Sequence, residues 1–199
     1  MKFEFNHIYH IYNRGNNSQR VFFNRNNYLF FLEKVKQYVL PYSDVLAWCL
    51  MPTHFHLMVF VNSVELEICE PMNPSAIEGF TRSETLNKTN VKIRTLNQSI
   101  GIMLRSYSRA IQLQENRTGS LFQKETKAIC LSEIDGVSRA WFCTQFGTQI
   151  NIALPEKEYP QVCFNYIHSN PVADGLVHNS GDWEFSSARE YEGMRNGGW

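Results

Sequence analysis

Apolar positions along the chain alternate, recur at helical spacing, then alternate again. Residues 7–13 (HIYHIYN) form a β-branched and aromatic run closed by the polar turn Arg14-Gly15-Asn16-Asn17, which predicts a first strand. Residues 26–40 carry Leu29, Phe30, Leu32, Val35, Tyr38 and Val39 at helical spacing, and Pro41 stops the pattern. Residues 44–51 and 54–62 read as two antiparallel strands joined by a tight turn at Pro52-Thr53. From 62 to 97 the periodicity fades into Asn, Ser and Thr, which predicts a loop or insertion. Helical spacing returns over 99–116 through Ile100, Met103, Leu104, Tyr107, Ile111 and Leu113, and Gly119-Ser120 breaks it. Residues 127–131 predict a short fourth strand, and 135–152 are aromatic-rich but fit neither period. Residues 156–170 predict a last helix, stopped by Pro171, and the tail at 182–191 offers Trp183 and Phe185 for packing back onto the domain.

The order β-α-β-β-α-β with a C-terminal helix is the ferredoxin-like pattern. It predicts an α+β domain whose antiparallel sheet carries helices on one face. The 199 residues suffice for one such domain with a real core. No internal repeat or low-complexity tract divides them.

Charge changes this picture little. Lys plus Arg and Asp plus Glu both number 19, so the net charge is zero and any nucleic-acid partner must meet basic residues that are locally concentrated. Residues 45–63 hold no Asp, Glu, Lys or Arg, a length close to a membrane span, but Pro52 and two histidines sit in the middle. Two buried strands explain the run better than a spanning helix, so no membrane role is expected. Five cysteines without C-x-x-C spacing argue against a zinc knuckle or a disulfide framework, and MKFEFNHIYH lacks a secretory apolar region; a cytoplasmic setting is expected.

Within that apolar run stands His54-Phe55-His56. Strand alternation puts both histidines on one face, with Phe55 and Leu57 directed at the helix layer. Paired imidazoles suit a divalent metal, although ordinary half-exposed strand histidines give the same pattern. In residues 164–172 (FNYIHSNPV), Tyr166 and Asn170 are four apart and share a helical face. Asn170 also reads as an N-cap before Pro171 with a turn closed by Gly175, and Tyr166 as a half-buried aromatic.

Taken together, MPTHFHLMV, NYIHSNPVADGLV, the opening HIYHIYNRGNNSQRVF, GSLFQK at 119–124 and DWEFSSAREY at 182–191 resemble the HUH-type single-tyrosine transposases. The likeness spans nearly the whole chain and is greatest to the REP-associated tyrosine transposase branch, relatives of the insertion-sequence 200/605 transposases. The resemblance implies one transposase-like domain over 1–199, with insertions at about 62–97 and 132–157. It implies metal-dependent cleavage and strand transfer on single-stranded DNA bearing REP-like hairpins, through a 5′-phosphotyrosine intermediate. It makes His54, His56 and Asn170 the ligands of Mg²⁺ or Mn²⁺ and Tyr166 the nucleophile. It also implies a bacterial, nucleoid-associated protein, working as a monomer or a homodimer. His10 is a second neighbour for the tyrosine, and Tyr107, which lacks a polar i+4 partner, is a second candidate nucleophile.

For DNA contact the sequence offers Arg14, Arg20, Arg25, Arg105, Arg109, Arg117, Lys124 and Lys127, with Tyr9, Tyr12 and Tyr107 for stacking. Where relatives carry Arg-Tyr after GSLFQK, this chain has Glu125-Thr126, which removes a cation. The alternative function is a catalytically degenerate module of the same fold that binds DNA or RNA hairpins. A zinc hydrolase would want a third His or carboxylate and a Glu base near His54, and neither is found at a recognisable spacing.

Overall fold

The computed structural model describes residues 1–71, 89–132, 141–144, 147–150 and 155–196. Strand β1 (Ile8–Arg14) leads into helix α1 (Arg25–Tyr38), then β2 (Ser43–Met51) and β3 (His54–Val61). After β4 (Glu65–Pro71) and β5 (Thr89–Thr95) come α2 (Leu96–Gln114) and β6 (Lys127–Cys130). The four-stranded sheet has the order β2-β3-β1-β6, and each of its pairs is antiparallel. This is the ferredoxin-like order expected from the sequence, with the histidine strand inside the sheet.

Alternation divides the sheet between two packed layers. Tyr9, Ile11, Phe55, Leu57 and Val59 point into the main core with Phe22, Phe31, Ile100, Met103 and Tyr107 from the α1 and α2 side. Ala47, Cys49, Met51 and Met58 point the other way, beneath Cys163 and Ile167 of α3 (Pro155–Ala173). Both α1 and α2 begin with a capping box, Asn24 with Asn27 and Thr95 with Gln98, which satisfies backbone donors at each helix start. The tail packs back as expected: Phe185 stacks on Tyr28 at 3.9 Å and the Trp183 indole donates to Leu50 O at 3.0 Å.

Three expectations change. The stretch at 62–97 is not simply a loop, because β4 and β5 pair as an antiparallel ribbon. Its period-two signal (Val64, Leu66 and Ile68 against Glu65 and Glu67) is short and drowned by polar neighbours, and residues 72–88 lie outside the described residues. Within 135–152, two short strands, β7 (Trp141–Thr144) and β8 (Gly147–Ile150), pair with each other. The last helix also runs through Pro171 instead of stopping there. A proline one turn from a helix end disturbs little, and Gly175 at φ 67 closes that turn. Leu176 N–H donates to Pro171 O at 2.8 Å and Gly175 N–H to Val172 O at 3.0 Å, the paired bonds of a Schellman end. Asn170 is therefore an in-helix residue, not an N-cap.

Leu29 and Leu113, expected on apolar faces, are exposed. Leu113 lies two residues, about 200° of helix, from buried Ile111. No helix of the described residues is long and apolar enough to cross a membrane.

Candidate functional site

β1 lies beside β3 with Tyr12 opposite His56 and Arg14 opposite His54. Directly paired residues share a face, so His10, Tyr12 and Arg14 join His54 and His56 on the side of the sheet that α3 covers. His54 and His56 stand 5.0 Å apart, ring to ring, at 89°. His56 Nδ1 is hydrogen-bonded to His10 Nε2 at 2.9 Å, and the two rings stack. His54 Nδ1 is held by Thr53 Oγ1 at 2.9 Å.

Helix α3 brings the other half of the site. Tyr166 is 51% exposed, and its ring meets His56 edge-on at 5.5 Å and His10 at 6.3 Å. One turn later Asn170 is buried, and its Nδ2 donates to Tyr166 O at 2.7 Å. A carbonyl can only accept, so the amide orientation follows: nitrogen to the backbone, oxygen to His54. On the far side of the helix, buried His168 bonds Ser187 Oγ at 2.7 Å and ties α3 to the tail.

The electrostatics favour neutral imidazoles. Burial pushes His10 down to about 4. Burial, then the neighbouring His10, His54 and Arg14, push His56 down to about 3. His54 is lowered by burial and Arg14, against an opposing pull from Asp174 and the Asn170 side chain. At neutral pH these rings keep a lone pair for a ligand. His56 Nε2 is buried and has no hydrogen-bond partner among the described residues. A buried polar atom left so calls for an occupant. Among the described residues no three His, Cys, Asp or Glu side chains gather as a metal-ligating group; the polar side chain that reaches His54 from α3 is the amide of Asn170.

A cavity of about 330 Å³ opens over the histidines, walled by Tyr12, Arg14, Glu125, Lys127 and Tyr166. Asn13 pins this wall, donating to Gln123 O at 3.2 Å and Thr126 Oγ1 at 2.9 Å. Of the expected DNA-contacting cations, Arg14 and Lys127 lie here, and Lys127 is paired with Glu125 at 2.9 Å. Arg105 and Lys124 line a neighbouring cleft with Lys92 and Arg94, which the sequence reading missed because they sat in the presumed loop. Arg25 is paired with Glu184, and Arg117 sits over the Phe23 ring at 5.5 Å with a bond to Gln19. Arg20 and Arg109 are exposed and line neither space.

Two aromatic expectations are corrected. Tyr107 is fully buried, with its hydroxyl donating to Val21 O at 2.8 Å and held well above the usual phenol range by burial. It can neither attack a phosphate nor stack on a base. Tyr9 is likewise a core residue, its hydroxyl pushed up to about 12 by burial. Tyr12 alone of the three reaches the cavity.

A solved structure of a REP-associated tyrosine transposase bound to a REP hairpin superposes on this chain with a TM-score of 0.53 and 13% sequence identity. The likeness covers 96% of this chain and 81% of the other. What the two share is the fold. No protein-family model matches the chain, and no curated protein matches it.

Proposed function

We propose that this chain is a metal-dependent enzyme of the REP-associated tyrosine transposase type, which cuts and rejoins hairpin-bearing single-stranded DNA. The observation that carries the reading is the meeting of His54, His56 and Tyr166 in one cavity, with Asn170 hydrogen-bonded beside His54, from a strand and a helix distant in sequence. The fold-level likeness to a transposase solved with a REP hairpin supports the same substrate class.

His54, His56 and the Asn170 oxygen fit a divalent cation, since His56 Nε2 is otherwise unpartnered and the rings are neutral. Two imidazoles with an amide oxygen suit Mn²⁺ or Mg²⁺. When bound, such a cation would polarise the scissile phosphate and offset charge in the transition state.

The chain's own groups do the rest. Tyr166 is exposed enough for a phosphate to approach in line. Its oxygen bonds to phosphorus, the bond to the 3′ oxygen breaks, and the phenol proton is lost as the leaving oxygen gains one. The product is a 5′-phosphotyrosine and a free 3′-OH. Attack by another 3′-OH reverses the step, so resealing needs no external energy. His10 holds the His56 ring, and Asn170 holds its oxygen by anchoring its nitrogen on Tyr166 O. Arg14 and Lys127 at the cavity wall meet flanking phosphates.

The test is covalent trapping. Wild type and Tyr166→Phe are incubated with Mn²⁺ and a labelled pool of hairpin-bearing single strands, then run on a denaturing gel. A shifted label in wild type alone is expected. A shift in both, or in neither while a native gel reports binding, overturns the reading, and the second outcome leaves a hairpin-binding module.

A further inference from the structure

The chain carries 19 Lys and Arg against 19 Asp and Glu, but these charges are not evenly spread. A cleft of about 800 Å³ between β5 and the first half of α2 is lined by Lys92, Arg94, Arg105 and Lys124, and Glu125 is the one carboxylate among its described lining residues.

Local structure builds this concentration. In the ribbon, Leu66 pairs with Arg94 and Ile68 with Lys92, so these four share one face. Leu66 packs on the main core, which turns that face toward the body of the protein. Glu65 and Glu67, opposite Thr95 and Ile93, fall on the other face. The Tyr42 hydroxyl donates to Arg94 O at 3.0 Å and fixes β5. On α2, Gly101 sits in the helix interior, where glycine is unfavourable. A Cβ there would stand 3.3 Å from Arg105 Nη1. The missing side chain gives the guanidinium room to lie back along the helix.

We propose that this cleft is a second DNA subsite, which grips the phosphate backbone of the strand whose scissile bond reaches Tyr166. The inference rests on the function proposed above. Glu125 lines both the cleft and the histidine cavity, so the two spaces adjoin. Lys92, Arg105 and Lys124 are solvent-exposed, which suits the release of counterions from a polyanion better than the burial of one small anion. No aromatic ring is among the described residues that line the cleft, which suits it to backbone more than to bases, whereas Tyr12 and Tyr166 face the other cavity.

The experiment uses the full chain, a fluorescent hairpin-bearing single-strand pool, and anisotropy over a range of salt. Lys92→Gln combined with Arg105→Gln is expected to weaken binding at least about tenfold and to lower the slope of log K against log salt by about 1.5. Its thermal midpoint and Mn²⁺ affinity should match wild type. Gly101→Ala, which displaces Arg105 without removing charge, is expected to weaken binding several-fold. Unchanged affinity and slope in the double variant overturn the cleft, even if wild type gives the phosphotyrosine band. Cleft-dependent binding with no band in wild type upholds the cleft and overturns the catalytic reading. A wild type that binds no DNA overturns both.

Discussion

His56 answers two needs with two nitrogens: Nδ1 is tied to His10, while Nε2 is buried and unpartnered. Hydrogen-bonded neighbours of this kind set ring orientation and tautomer, and their loss costs about 10–100-fold in metal affinity. His10→Phe keeps a ring but no nitrogen, and Mn²⁺ binding measured by calorimetry should weaken within that range. His10→Gln, which can still hydrogen-bond, should recover part of it; equal affinity in all three proteins would remove His10 from the site. The same rings shape acid stability. His10 is lowered to about 4 and His56 to about 3, against about 6.5 in an unfolded chain. Between about pH 6.5 and about pH 4 the unfolded state therefore binds more protons, and stability falls as pH falls through that window. Above it the two rings contribute no pH dependence. Urea midpoints should drop from about pH 7 to about pH 5 in wild type and drop less in His10→Phe; equal drops would refute the assignment. The histidine pair was legible in the sequence because alternation puts i and i+2 on one face. Tyr166 and Tyr107 both fit helices, and the i+4 amide only ranked them. What separates them is burial, a tertiary property: one is half exposed and the other fully enclosed.

The elements that a strong period defines (β1, α1, β2, β3 and α2) stand where the sequence reading expected them, within a few residues. The short β6 stands where expected too, but elements whose signal is diluted by polar neighbours do not. β4 and β5 are only seven residues long and alternate apolar and charged residues over just four of them, Glu65 to Ile68 and Val91 to Arg94, and polar surroundings hide them. Helix α3 passes Pro171 because a proline near a helix end forfeits little, and Gly175 supplies the stop two residues past Ala173. On α2 the glycine position sets stability against function. Gly101→Ala should add about 0.5–1 kcal/mol of helix stability while disturbing Arg105, which stands 3.3 Å from the added Cβ. A raised thermal midpoint with weaker DNA binding is the expected pair of results in calorimetry and anisotropy. A lower midpoint would mean that the contact with Arg105 cannot relax.

Across the whole molecule, the fold separates a rigid half of the site from a docked half. The histidines sit on β3, which is paired on both sides within the sheet, whereas Tyr166 rides on a helix laid over the open face. Bulk composition could not reveal this division, nor the basic cleft, since a net charge of zero averages over opposed surfaces. The layer beneath α3 is unusual in its chemistry. Cys163 and Ile167 rest on Cys49, Met51 and Met58, and Cys49 Sγ lies 3.7 Å from Met51 Sδ. Cys163 is 7% exposed, and burial pushes its thiol up to about 11. An alkylating reagent can reach that sulfur only after the helix has lifted. Site-resolved labelling of Cys163 should therefore be slow in the native state and should speed up in Ile167→Ala, which removes the neighbouring anchor; fast labelling in both would mean that the helix is not held by this layer. Sulfur beneath the helix thus becomes a clock, and its rate is the frequency with which Tyr166 lifts away from His10 and His56 and returns.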